Sequence, residues 1–188
     1  MPKVDAAVRI ENVVATAKFN HKIDLNAVVK IYPTVEYRPK LFPGLVFRLI
    51  KPKTATLIFS TGKMVCTGAK SEKEAKTAVF KIIRELKKSG IVITKKPELR
   101  IVNIVASVSL GGMIDLEKAA FTLGKTMYEP EQFPGLIYRM DDPKVVILVF
   151  RSGKLVCTGA KREEEVYRAV GKLQSQLEEK QLIFYEGF

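Results

Sequence analysis

The sequence is poor in the residues that form disulfide frameworks, metal centres and histidine-based catalytic sites. Its 188 residues include two cysteines, Cys66 and Cys157, and one histidine, His21. Each cysteine lies in a VCTGAK segment among strand-forming residues, which is typical of small buried thiols rather than of a disulfide or metal site. His21 stands in a polar turn, FNHKID, with no cysteine or second histidine near it in sequence. We therefore expect no metal, no cofactor and no histidine-based triad.

Long apolar runs and nucleotide-binding loops are also missing. No stretch approaches the ~18 consecutive apolar residues of a membrane helix, and the N-terminal segment MPKVDAAVRI lacks the hydrophobic segment of a signal peptide. The glycine-lysine motifs do not have the G-x-x-x-x-G-K-[ST] spacing of a phosphate-binding loop, and no constellation of acid, base or metal ligands stands out. We expect a soluble protein that is neither secreted nor an enzyme.

Acidic residues are outnumbered by basic ones. The chain has 32 lysines and arginines against 20 aspartates and glutamates, which gives a formal net charge of +12 at pH 7 and a pI near 9.7. An excess of this size makes a polyanion such as nucleic acid the first partner to consider.

The chain contains two ungapped copies of one unit. The motif FPGL at Phe42 recurs 91 residues later at Phe133. The same offset relates Asn12 to Asn103, Phe59 to Phe150 and Cys66 to Cys157. Such a match predicts two repeats of one structural unit, residues 1–97 and 98–188, joined by the connector TKKPE at residues 94–98.

Each repeat has the same predicted order of elements. A strand over residues 10–19 precedes a short helix that Asp24 caps, and a strand over 99–110 precedes a helix that Asp115 caps. Four short strands follow in the first repeat, near residues 35–38, 45–50, 54–60 and 63–67, the last two forming a hairpin. A long amphipathic helix, residues 71–88 in the first repeat, closes the unit. The predicted fold class is α+β with antiparallel strands.

The predicted strands are apolar on both sides. Period-two alternation puts Ile58, Met64 and Cys66 on one face of the hairpin and Leu57, Phe59, Val65 and Thr67 on the other. Burial of both faces would require a parallel α/β sheet, but hairpin-linked strands are antiparallel and no spare helices are present. Two helices per repeat can cover one face only, so the second face is predicted to be an interaction surface.

The second face combines an apolar floor with a few polar groups and a basic rim. This combination suits the minor groove of DNA, where A·T pairs present only hydrogen-bond acceptors and the guanine amino group would clash. The predicted floor residues are Asn12, Val14, Leu57, Val65, Thr67, Asn103, Val105, Leu148, Val156 and Thr158.

Four phenylalanines and eight polar or basic residues complete the predicted interface. Phe42, Phe59, Phe133 and Phe150 are candidate wedges that unstack base steps, because inserted apolar side chains kink a duplex. The predicted phosphate-binding residues, which fix position without reading sequence, are Arg48, Thr61, Lys63, Lys70, Arg139, Ser152, Lys154 and Lys161.

These motifs resemble the TATA-binding protein family over nearly the whole chain. The segments that carry the resemblance are IENVVAT, IVNIVAS, FPGL in both repeats, YEPEQFPGLIYRM and the two GK-x-VCTGAK hairpins. The resemblance implies a saddle with one continuous curved antiparallel sheet and helices on its convex side. It also implies binding of the TATA box in the minor groove, with Phe42 and Phe59 kinking one end and Phe133 and Phe150 the other. The chain departs from eukaryotic members at Glu11 and Val102, where those commonly carry glutamine before the asparagine.

The resemblance also implies partners. Family members recruit transcription factor B and RNA polymerase, and the segment YEPEQFP implies that Glu129 and Glu131 contact transcription factor B. The compact length resembles an archaeal member, so we expect a cytoplasmic, nucleoid-associated protein, or a nuclear one if the source is eukaryotic.

Two other readings of the sequence stay open. The chain could be a saddle domain that binds other nucleic-acid duplexes as an accessory to a nucleic-acid enzyme. Free of DNA, the apolar faces could also pair two copies into a weak homodimer, which is compatible with DNA binding.

Overall fold

The computed structural model describes residues 6–186 as two compact units. The first unit is residues 12–102, and the second is residues 103–186 together with residues 6–11. Each unit contains an antiparallel sheet and two helices, which confirms the α+β class and the repeated order of elements. The boundary of the sequence duplication at residues 97 and 98 stays a prediction.

The sheet of the first unit has the order β2-β3-β4-β1, and every neighbouring pair is antiparallel. Its elements are β1 (Ala7–Lys18, from residue 12 onward in this unit), α1 (Leu25–Ile31), β2 (Leu45–Leu49), β3 (Thr54–Ile58), β4 (Lys63–Ala69) and α2 (Glu72–Lys88).

The second unit repeats this order with two additions. Its sheet runs β5-β10-β9-β8-β7, again antiparallel, and a separate two-stranded ladder pairs β6 with β11. Its elements are residues 7–11 of β1, β5 (Glu98–Ser109, from residue 103 onward in this unit), β6 (Gly112–Ile114), α3 (Leu116–Thr122), β7 (Thr126–Met127), β8 (Leu136–Met140), β9 (Val145–Val149), β10 (Lys154–Ala160), α4 (Glu163–Glu179) and β11 (Ile183–Tyr185).

The helices begin where the sequence places capping residues. The carboxylates of Asp24 and Asp115 accept hydrogen bonds from the third residue after each, Ala27 and Lys118, at 3.1 and 3.0 Å. Ser71 caps α2 in the same way. Side-chain caps satisfy backbone N–H groups that the first turn leaves unpaired. The two predicted aspartate caps are therefore confirmed.

Each long helix buries one stripe of residues on one face of its own sheet. In α2 the stripe begins at Ala75 and ends at Leu86, and in α4 it begins at Val166 and ends at Leu177. In the first unit the sheet side chains Ile58, Met64 and Cys66 are completely buried. Burial of each large apolar side chain contributes about 1.5–3 kcal/mol, so this layer holds the unit together.

Two predictions about short strands were wrong or incomplete. Residues 35–38 do not form a strand: a single bridge joins Glu36 to Val46, directly after a turn in which the Val35 N–H donates to the Tyr32 carbonyl. The sequence reading also missed β6 and β11. Three-residue strands of this kind are defined by their partners, which local sequence does not reveal.

Over residues 6–186, no helix combines the length and the apolar character needed to cross a bilayer.

Candidate nucleic-acid interface

In both units the sheet face opposite the helices is only partly covered. Along β3 and β4, Leu57, Val65 and Thr67 are half-exposed, while the alternate residues Ile58 and Cys66 are buried. The second unit repeats the pattern, with Leu148, Val156 and Thr158 half-exposed. The predicted division of each hairpin into a buried and an uncovered face is confirmed.

Strand register aligns the uncovered side chains into rows. In the first unit the row contains Val46, Leu57, Val65 and Thr16. In the second unit the row contains Ile137, Leu148, Val156 and Ser107. The sequence reading missed Val46 and Ile137. Each lies between two buried residues of its strand, so the period-two alternation could have identified them.

The side chain of Asn12 is held by a bulge in β4, the strand that pairs with β1. The register shifts between Val13 and Ala15, which pair with Ala69 and Cys66. The backbone N–H of Gly68, a residue with φ of +100°, donates to Asn12 Oδ1 at 2.7 Å. Glycine adopts this φ readily because it has no Cβ atom to clash with the backbone.

The same contacts fix which way the Asn12 amide points. Because Oδ1 accepts from the backbone, Nδ2 must face Thr67, and it donates to Thr67 Oγ1 at 3.0 Å. An amide nitrogen has two N–H donors. The second donor of Asn12 has no partner within residues 6–186, and it lies on the uncovered face.

Asn103 repeats this arrangement in the second unit. Its Oδ1 accepts from the Gly159 N–H at 2.8 Å and its Nδ2 donates to Thr158 Oγ1 at 3.3 Å. Each unit thus presents one oriented amide donor surrounded by apolar side chains. Val14 and Val105, the remaining predicted floor residues, are half-exposed on the same faces.

Glu11 is one of the two positions at which the chain departs from the eukaryotic pattern, and its carboxylate is already bonded to residues of the second unit. Its carboxylate accepts a hydrogen bond from Ser107 Oγ at 2.8 Å and lies 3.5 Å from the Arg9 guanidinium. A carboxylate that already has two partners is less available to an external ligand than a free amide would be.

The two cysteines belong to the buried face. Burial raises the pKa of the Cys157 thiol to about 11 and also raises the pKa of Cys66. Both thiols are therefore protonated at neutral pH, and protonated thiols are poor nucleophiles and poor metal ligands.

Each unit carries one pair of phenylalanines in which one ring is exposed and the other is partly buried. The rings of Phe42 and Phe59 meet edge to face, with centroids 5.9 Å apart and planes at 71°. Phe133 and Phe150 repeat the geometry at 5.9 Å and 72°. Phe42 and Phe133 keep 43% and 38% of their surface exposed. Each pair therefore retains apolar surface that a bound partner could cover.

A buried glycine lies directly beneath each ring pair. A Cβ atom on Gly44 would stand 2.7 Å from Phe42 Cε1 and 3.0 Å from Phe59 Cε1. On Gly135 it would stand 2.8 and 3.0 Å from the same atoms of Phe133 and Phe150. A side chain at either position would require the rings to shift from their present edge-to-face contact. Sequence reading noted the repeated FPGL motif but missed this role.

The predicted phosphate-binding residues all lie exposed, four in each unit. Lys63 shares the uncovered face with Val65 and Thr67, since the three alternate along β4. Arg48 pairs with Glu36 at 3.4 Å, but both side chains are more than half exposed. Such a surface pair stabilises by at most about 1 kcal/mol, so a phosphate can replace the glutamate. Within the described residues Arg139, the equivalent of Arg48, has no ion pair.

Glu129 and Glu131 are exposed in the loop that precedes Phe133. Neither forms an ion pair within residues 6–186. The structure thus presents this acidic pair beside one of the two phenylalanine pairs.

Comparison with known proteins gives a consistent family match. The family model described as "Transcription factor TFIID (or TATA-binding protein, TBP)" matches twice, over residues 7–89 and 98–180. The chain is 58% identical to the TATA-box-binding protein of Pyrodictium occultum over 89% of this chain and 84% of that protein. It is 57% identical to the Sulfolobus acidocaldarius protein of the same name, over 93% and 88%.

A solved structure is similar as well. The chain superimposes on Methanococcus jannaschii TBP with a TM-score of 0.83 and 51% sequence identity, over 92% of this chain and 98% of that one.

Proposed function

The chain belongs to the TATA-binding protein family, and from this premise we propose that it initiates transcription by binding the TATA element of promoters through the minor groove. The family is one of transcription factors, which confirms the prediction that the chain is not an enzyme. The relatives named above are archaeal, and we propose that the protein works on the nucleoid in an archaeal cytoplasm.

The observation that supports this proposal best is the oriented amide in each unit. The free N–H of Asn12 or Asn103 is a donor surrounded by valines, and the minor groove of A·T pairs offers only acceptors. A guanine would add an amino group, and that group would face the apolar side chains of Val65 and Val156. The face therefore favours A·T pairs by pairing with them and by excluding G·C.

We propose that the phenylalanine pairs kink the DNA duplex. Wedges inserted from the minor groove unstack a base step at a cost of a few kcal/mol, a device already known for this family. Complete burial of a fully exposed ring contributes about 1.5–3 kcal/mol, and each ring gains the share of this that corresponds to the surface still exposed, 43% for Phe42 and 38% for Phe133. Two rings acting together at one step can therefore offset part of the cost of one kink, and each unit carries one such pair.

The exposed basic residues would anchor the phosphates. If Arg48, Lys63 and Lys70, with their counterparts Arg139, Lys154 and Lys161, each neutralise one phosphate, log K should fall with log salt concentration with a slope of about −5. The hydroxyls of Thr61 and Ser152 lie beside these residues in the hairpin turns and can add neutral hydrogen bonds.

We further propose that Glu129 and Glu131 bind transcription factor B, which then recruits RNA polymerase. Both carboxylates are exposed beside the second phenylalanine pair. Without DNA, the same uncovered sheet face can pair two copies weakly, and DNA would then compete with that dimer.

A promoter-binding assay tests the proposed function. Affinity and end-to-end distance are measured by fluorescence energy transfer on a duplex containing a TATA element and on a scrambled duplex of equal composition, over a salt series. We expect tight binding and shortening of the TATA duplex only, with the salt slope given above. Equal affinity for both duplexes, or tight binding without a change of end-to-end distance, would contradict the proposal.

A further inference from the structure

The two loops that carry the exposed phenylalanines differ in charge and in almost nothing else. We call residues 37–44 the first loop and residues 128–135 the second loop. The first loop reads YRPKLFPG and the second YEPEQFPG. Tyrosine, both prolines, phenylalanine and glycine stand at the same places. The three differences are Arg38 against Glu129, Lys40 against Glu131, and Leu41 against Gln132.

The backbones of the two loops are built alike. In the first loop the N–H groups of Leu41 and Phe42 donate to the Arg38 carbonyl at 2.9 and 3.0 Å. In the second loop the N–H groups of Gln132 and Phe133 donate to the Glu129 carbonyl, both at 3.0 Å. The ring pairs also agree within 1°. A protein that recognises the shape of one loop would therefore find the same shape in the other.

The charges at these positions are free to meet a partner. All four side chains, Arg38, Lys40, Glu129 and Glu131, belong to exposed residues, and none forms an ion pair within residues 6–186. The first loop thus presents two positive charges where the second presents two negative charges on the same scaffold. Nothing in the packing of either unit requires this inversion.

We propose that Arg38 and Lys40 exclude from the first loop the basic protein that the second loop binds. This inference rests on the proposed function, in which the basic partner is transcription factor B. Attraction at Glu129 and Glu131 alone would not secure a single site, because the shared shape would still give the first loop some affinity. Selective binding between near-identical sites commonly needs a repulsive element. Like charges brought together across an interface supply one that costs several kcal/mol.

A partner that can bind only the second loop distinguishes the second repeat from the first, although the two repeats otherwise present the same groups to DNA. Arg38 and Lys40 are thus specificity-determining residues for the partner.

Site-specific photocrosslinking tests the exclusion. A benzoylphenylalanine is placed at Leu41 or at Gln132, the complex is formed on a TATA duplex, and crosslinking to purified transcription factor B is measured. In the otherwise unchanged protein we expect crosslinking from position 132 only. With Arg38→Glu and Lys40→Glu the first loop becomes YEPELFPG, and crosslinking from position 41 should rise about tenfold or more.

A charge-neutral exchange supplies the matched control. The variant with Arg38→Glu, Lys40→Glu, Glu129→Arg and Glu131→Lys keeps the net charge of +12. It should crosslink from position 41 and lose crosslinking from position 132. This result cannot arise from a change in overall charge.

The outcomes separate the inference from the proposed function. Equal crosslinking from both positions in the unchanged protein, or no gain at position 41 in the double variant, overturns the exclusion while TATA binding and bending stand. Failure of the unchanged protein to bind the TATA duplex overturns the proposed function, and the inference with it.

Discussion

Replacement of Phe42 and Phe59 by alanine is expected to remove most of the bend at one end of the TATA duplex while leaving the salt dependence of binding unchanged. The two rings meet edge to face at 5.9 Å and form the wedge of the first unit. Their truncation forfeits the burial that DNA binding adds to two partly exposed rings, which is less than the about 3–6 kcal/mol of two fully exposed ones, and it also removes the cost of unstacking one base step.

Affinity should therefore fall by less than the burial figure alone implies, roughly 10–1,000-fold. The salt slope should stay constant, because Arg48 and Lys63 still reach the phosphates. The measurements are end-to-end distance by fluorescence energy transfer and affinity over a salt series, with thermal unfolding to check that the variant is folded.

The matched control is Phe121→Ala. Phe121 lies on α3, is 93% exposed and belongs to neither ring pair, so its loss should change neither bend nor affinity. If the Phe42 and Phe59 variant bends the duplex as fully as the unchanged protein, the phenylalanines are not the wedges. A companion variant, Gly44→Ala, retains both rings but forces them apart, and it should reduce the bend in the same direction.

The second large effect is expected from Asn12→Asp combined with Asn103→Asp. Aspartate has the shape of asparagine, so the Gly68 and Gly159 N–H groups can still donate to Oδ1. The second carboxylate oxygen, however, takes the place of the amide nitrogen. A negatively charged acceptor would then face the acceptors of the minor groove, where the asparagine presents a donor. A mismatch that leaves charged groups unpaired costs about 1–3 kcal/mol or more at each site.

The double variant should therefore bind the TATA duplex about 100-fold to 10,000-fold more weakly. Asn20→Asp with Asn26→Asp makes the same change of net charge at exposed positions outside the sheet and should have a small effect. Competition binding on one TATA duplex measures both. Equal losses in the two double variants would mean that overall charge, rather than the groove-facing amide, determines the result.

Much of the candidate interface is readable from sequence because a strand alternates faces with period two. Ile58 and Leu57 are neighbours in sequence, yet one is buried and the other uncovered, as alternation requires. The duplication strengthened this interpretation, since the same assignment had to hold for Val149 and Leu148, and it does.

Other features depend on contacts between distant residues, which local sequence does not report. The amide orientation of Asn12 follows from the Gly68 N–H, 56 residues away. The contact between Phe42 and Phe59 depends on Gly44 being too small to hold the rings apart. The ladder between β6 and β11 pairs Ile114 with Ile183, and both segments are too short for an alternating pattern to predict a strand.

One strand of the first repeat was predicted wrongly because its pattern does not report how far its pairing extends. Residues 35–38 alternate as a strand would, but after the turn at Tyr32 only Glu36 pairs with β2. In the second repeat the equivalent segment does form β7, where the Arg139 N–H donates to the Lys125 carbonyl. The two copies thus differ in local hydrogen bonding although their patterns match.

Base analogues test the minor-groove account most directly. Inosine is guanine without its amino group, so inosine·cytosine pairs present the minor groove of A·T and the major groove of G·C. Binding and bending are compared on duplexes in which every A·T pair of the TATA element is replaced by inosine·cytosine or by guanine·cytosine. We predict that the inosine duplex is bound and bent much as the TATA duplex is, and that the guanine duplex is not. An inosine duplex that behaves like the guanine duplex would contradict recognition through the minor groove.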